Sequence, residues 1–111
     1  MTSITIEASS GNVYADLGMA DAQEMLVKAK LASKIGDIIK RQGLTQQQAA
    51  ELLAMPQPKV SMLLRGQFRG ISEAKMLECL ARLGRDIDIV VKPARRRSAA
   101  GALGRVNVVF A

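Results

Sequence analysis

The sequence predicts a mainly α-helical fold, a small bundle of four to five helices followed by a C-terminal β-strand or hairpin. Three observations carry that reading. Apolar residues recur at helical spacing between residues 21 and 84. Thr45 and Ser72 stand as capping residues ahead of two of the apolar runs. Asp86-Ile87-Asp88-Ile89-Val90-Val91 then switches to a polar/apolar alternation that Pro93 ends. At 111 residues with 49% hydrophobic content, the chain can build one modest core.

Taken in order, residues 1–20 form an N-terminal arm. Ile4-Thr5-Ile6-Glu7 alternates but is only four residues long before Ser9-Ser10-Gly11-Asn12, so it is either a short edge strand or unstructured. Asp21 with Glu24 makes a capping box that opens a long first helix over about 21–42. Leu31, Ile35, Ile38 and Ile39 form its stripe, and Lys40, Arg41 and Gly43 mark its end. Thr45 with Gln48 is a second capping box, opening a short helix that must stop near Ala54. Proline at 56 lacks an N–H and disfavours helix in the residue before it. Pro58 can start the next helix, because first-turn N–H groups have no intrahelical partner. That third helix runs to Arg65, with Val60, Leu63 and Leu64 on its apolar side, and Gly66 stops it. Ser72 caps a fourth helix carrying Ala74, Leu77, Leu80, Ala81 and Leu83, ended by Gly84. Residues 85–93 read as a strand, and 94–111 as a basic tail in which Arg105–Phe110 is a second candidate strand.

Composition excludes most enzyme chemistry. There is no histidine and one cysteine, Cys79, which removes histidine bases, Ser/His/Asp and Cys/His triads and the common zinc sets. No cofactor or metal is expected, and the protein is read as a non-enzyme. Cys79 itself lies among Leu80 and Leu83 and reads as a small buried apolar residue. Without a basic start, a secretory apolar run or a stretch of bilayer length, the chain is expected to be cytoplasmic and to have no membrane partner.

The net charge of +6 is unevenly placed. Residues 1–27 carry Glu7, Asp16, Asp21 and Glu24 and no base, −4; residues 40–70 carry Lys40, Arg41, Lys59, Arg65 and Arg69 against Glu51 alone, +4. Residues 89–111 add Lys92, Arg95, Arg96, Arg97 and Arg105 with no acid, +5. A basic middle and tail suit a polyanion. For the tail, a flexible solubilising role explains Arg95-Arg96-Arg97 equally well. With only Tyr14, Phe68 and Phe110 there is no aromatic platform for stacking RNA bases.

Two short helices joined by a tight turn across 45–66 have the spacing of a helix-turn-helix. Such a motif needs a small side chain where its helices cross, here Ala50. It also needs inward apolar positions, here Ala49, Leu53, Met55, Val60 and Leu63. The outward face of the third helix offers Gln57, Lys59, Ser61 and Met62, able to meet base edges in a major groove. Lys59 opposes the macrodipole in a first helical turn, which is poor for stability and sensible against DNA. Met62 serves equally as a packing filler or a thymine-methyl contact. The competing reading of the whole segment is an αα-hairpin with solvated polar residues.

GLTQQQAAELL at 43–53 and PQPKVSMLLRG at 56–66 resemble the Xre/Cro-type, lambda-repressor-like helix-turn-helix. NVYADLG at 12–18, ARLGRDI at 81–87 and IVVKP at 89–93 extend the resemblance to small Xre-type regulators that include HigA-like antitoxins. The resemblance implies phosphate contacts for Gln46, Arg65 and Arg69, and base contacts for Gln57, Lys59, Ser61 and Met62. It departs at Ala54, where a left-handed turn usually takes glycine, at a cost of about 1 kcal/mol. It departs again at Pro56, where a Ser or Thr cap is usual.

The expected function is that of a dimeric transcriptional regulator on a palindromic double-stranded operator, an autorepressor and the antitoxin of a type II toxin-antitoxin pair. The alternatives are a toxin-neutralising interaction module with secondary DNA binding, or a stand-alone phage-type repressor. A single recognition helix reads only a few base pairs, so two are needed across one face of the duplex. Ile87, Ile89 and Val91 are the expected dimerisation residues, on a strand that pairs across a two-fold axis or with 105–110 of its own chain. Tyr14, Asp16, Leu17 and Met25 are candidates for binding a small basic RNase-type toxin, the alternative being that they pack on the protein's own core.

Overall fold

The computed structural model describes residues 19–94 and 103–111, with side chains from residue 22. Four helices follow one another: α1 (Met19–Arg41), α2 (Gln46–Leu53), α3 (Gln57–Leu64) and α4 (Glu73–Arg82). Two compact units are distinguished, one of residues 28–88 and one of residues 1–27 with 89–111, and α1 passes from one into the other.

The 28–88 unit has a core of one apolar stripe per helix. Leu31, Ala32, Ile35, Ile38 and Ile39 come from α1, Ala49 and Leu53 from α2, Val60 and Leu63 from α3, and Met76, Cys79 and Leu80 from α4. At Gly36 the backbone of α1 runs close to the end of α3: a Cβ there would meet Leu64 Cδ2 at 3.4 Å, the edge of ordinary van der Waals contact. Met55, Ile71 and Leu83, each just outside a helix, complete the interior.

The helix ends explain the element lengths. Thr45 Oγ1 accepts the Gln48 N–H at 3.1 Å while Gln48 Oε1 accepts the Thr45 N–H at 2.9 Å, the reciprocal pair expected of a capping box. Ser72 Oγ accepts the Lys75 N–H at 3.0 Å and starts α4. At their C-termini all four helices close with the same reverse bond, five residues back: Leu44 to Ile39, Met55 to Ala50, Gln67 to Met62 and Arg85 to Leu80. The left-handed residue that makes this possible is Gly43, Ala54, Gly66 and Gly84 in turn.

Two expectations are corrected. α1 already includes Met19 and Ala20, so Asp21 and Glu24 lie inside the helix and do not cap its start. More consequentially, the C-terminal strand or hairpin is absent: residues 85–94 and 103–111 carry no strand, and no sheet occurs among the described residues. Ile89 and Val91 are 76% and 89% exposed, and Ile87 is also exposed, with no facing strand to cover them. Alternation shows only that a segment suits a half-buried pleated surface; the ladder needs a partner. In the tail, the Val106 N–H is spent on a side chain, Gln23 Oε1 at 2.9 Å. Ile87, Ile89 and Val91 are therefore not part of a strand or hairpin within the described chain. No helix among the described residues is long and apolar enough to cross a membrane.

Candidate nucleic-acid interface

α2 and α3, eight residues each, are seated by the side chains the motif requires: Ala49, Leu53, Met55, Val60 and Leu63 are all buried. Ala50, at the expected crossing, is half-buried. Between the helices Ala54 adopts φ 55° and ψ 47°, the left-handed conformation in which an L-residue is strained. Pro56 then stands as the N-cap of α3 in extended conformation and, having no side-chain donor or acceptor, leaves the first turn without a cap bond. No acid lies in that turn either. α3 thus begins as an uncompensated positive helix end.

With 3.6 residues per turn, buried Val60 and Leu63 and half-buried Leu64 fix which way α3 faces. Pro58, Ser61, Met62 and Arg65 form the ridge opposite them. Gln57 and Lys59 lie on its two flanks, so the four residues expected to meet bases are not equivalent in position. Gln57, Lys59 and Met62 are exposed and Ser61 is half-buried.

Ser61 and Arg65 are tied together, because Arg65 Nη1 donates to Ser61 Oγ at 3.0 Å. Its second amino nitrogen reaches Gln67 Oε1 at 3.4 Å. Gln67 therefore joins the surface, although helical periodicity gave no sign of it because it follows the end of α3. Lys59 faces a different neighbourhood, a groove of about 350 Å³ whose lining includes Met55, Ile71, Ser72 and Lys75. Lys75 contacts Glu78 Oε2 at 3.5 Å and Arg82 Nε donates to the same oxygen at 2.9 Å. The Arg82 hydrogen bond and the Lys75 charge hold the Glu78 carboxyl below its ordinary range.

Gln46 is exposed as the first residue of α2. Arg69 is exposed on the loop between α3 and α4, where its carbonyl accepts Lys28 Nζ at 2.9 Å. Lys28 was missed by the sequence reading, although its place was visible: it stands three and four residues before Leu31 and Ala32, on the apolar stripe of α1. Met25 is half-buried, while Tyr14, Asp16 and Leu17 lie outside the described residues. Burial raises the Cys79 thiol pKa, and its sulfur lies 3.5 Å from Met55 Sδ in the core. Among the described residues no group of acids and cysteine could hold a metal ion.

The arrangement is that of a helix-turn-helix: α2 seats α3, whose outward side presents hydrogen-bonding side chains and exposed cations. Residues 13–92 match the family described as "Helix-turn-helix domain". A solved structure described as "Putative XRE Family Transcriptional Regulator" is 36% identical, with a TM-score of 0.74, covering 82% of this chain and 99% of that one. The curated proteins yield no match. The chain belongs to the helix-turn-helix family, and within it to the Xre type. Its fold and family are those of a DNA-binding transcriptional regulator.

Proposed function

We propose that the protein is a sequence-specific repressor that binds a palindromic operator as a homodimer and acts on its own promoter. One observation carries the reading: α3 is locked by Val60 and Leu63 while its outward side offers exposed Gln57 and Met62 and half-buried Ser61 beside a helix start with neither cap nor acid. Those three residues are the base readers in this proposal. Lys59 turns to the groove it shares with Lys75 and is assigned, with Gln46, Arg65 and Arg69, to backbone phosphates. Two recognition helices about 34 Å apart then address successive major grooves on one face.

The test is a footprint and binding titration on the DNA upstream of the gene. Gln57→Ala is expected to cost roughly 1 to 3 kcal/mol on the protected sequence and little on unrelated duplex. Equal losses on both would remove Gln57 from base reading, and absence of any protected site would overturn the repressor assignment.

A second reading, antitoxin activity toward a small basic protein, is favoured by Leu26, 50% exposed on the acidic end of the chain. Leu26→Glu is then expected to abolish co-purification with the product of an adjacent gene and to leave DNA binding intact. Retained co-purification would move the contact elsewhere.

A further inference from the structure

We propose that Lys28 is a positioning residue for the DNA contact made by Arg69. The proposal rests on the assignment of Arg69 to a backbone phosphate. Lys28 is 4% exposed, and no other charged side chain is buried among the described residues. Its Nζ crosses from α1 to the α3–α4 loop, donating to the carbonyl of Arg69, 41 residues along the chain.

That carbonyl has a particular place. The Ile71 N–H donates to the Phe68 carbonyl at 2.9 Å, so residues 68–71 make a turn with Arg69 at its second position. Ile71 plugs the far side of the turn into the core. The peptide plane joining Arg69 to Gly70 would otherwise be the freest part of this loop, since glycine constrains it little. Lys28 fixes that plane through its carbonyl, while Arg69 itself is exposed. Burying a cation carries a desolvation cost that its hydrogen bonds must offset, whereas methionine would fill the same stem volume without that cost. As an anchor for a loop that must meet a phosphate, a charged donor long enough to reach across from α1 is well suited.

The experiment uses the full chain and a mixed-sequence 30-bp duplex, with salt titrations of wild type, Lys28→Met, Arg69→Ala and the double variant. Losing one phosphate contact should lower the slope of log K against log salt by about 0.9, which amounts to roughly an eightfold difference in affinity between 1 M and 0.1 M salt. Arg69→Ala should show that change, Lys28→Met most of it, and the double variant no more than Arg69→Ala alone. Amide exchange at Gly70 and Ile71 should speed up in Lys28→Met and stay unchanged in Arg69→Ala. Lys28→Gln, polar but too short to reach the loop, supplies the same comparison if the methionine variant does not fold. Additive losses, or wild-type affinity and slope in the Lys28 variants, overturn the proposal while leaving DNA binding in place. Failure of the wild type to bind the duplex overturns both.

Discussion

Ala54→Gly should make the protein more stable, and the gain can be worked from the backbone. Four helices close with the same reverse bond, and three of the left-handed residues that permit it are glycine; at the fourth, Ala54 is held at φ 55°. Left-handed geometry costs an L-residue roughly 1 to 2 kcal/mol. Glycine removes that strain but gives the unfolded chain more freedom, an opposing effect of about 0.4 to 1 kcal/mol. Ala54 is exposed, so deleting its methyl forfeits little packing. The net is a stabilisation of about 0.5 to 1 kcal/mol. For a domain of this size that raises the melting temperature by about 2 to 8 °C, followed by circular dichroism at the helical band. Gly66→Ala, at φ 81°, is the matched control and should shift the midpoint the other way. An unchanged or lowered midpoint for Ala54→Gly, with Gly66→Ala behaving as stated, would refute the assignment of strain to Ala54.

Thr45→Ala removes the oxygen that accepts the Gln48 N–H and should destabilise by about 1 kcal/mol in urea titration. Cys79→Ser puts a hydroxyl where a sulfur meets Met55 Sδ in a fully buried site and should cost roughly 1 to 3 kcal/mol by the same measurement. Cys79 should also resist a thiol reagent at neutral pH until denaturant is added, because burial both shields the thiol and raises its pKa. Duplex affinity should be flat between pH 6 and 8: the chain has no histidine, and the lowered Glu78 carboxyl stabilises above its ordinary range and loses that effect only as pH falls through the depressed value. A step in affinity across that interval would point to a titrating group outside this description.

The helix-turn-helix was legible because its signals are local. Thr45 with Gln48, the two prolines and Gly66 act within a few residues, and four of the inward positions, Ala49, Leu53, Val60 and Leu63, follow from helical period, while Met55 in the turn follows from the motif. The left-handed turn at Ala54 was foreseeable only through the resemblance, because alanine itself gives no local sign of positive φ. The strand over 86–91 failed because β-structure is a property of a pair, and one strand's alternation says nothing of whether a partner exists. Lys28 was overlooked because a lysine in a helix normally belongs to a solvated face, and only its register with Leu31, Ala32 and Ile35 marks it as buried. Gln67 lay beyond any periodic argument, since it reaches Arg65 from irregular backbone.

The bare stretch Ile89-Val90-Val91 has a colloidal consequence. Three contiguous exposed β-branched residues have the composition, but only about half the length, of the segments that seed intermolecular cross-β contacts. Asp86 and Asp88 precede it, and Lys92 and Pro93 follow. These four act as gatekeepers, two by like-charge repulsion between copies, one by an opposite but equally hydrated charge, and one by withholding an N–H. Neutralising the aspartates would lengthen the uncharged run while leaving the helices untouched, so self-association of a concentrated stock is expected to rise with that change.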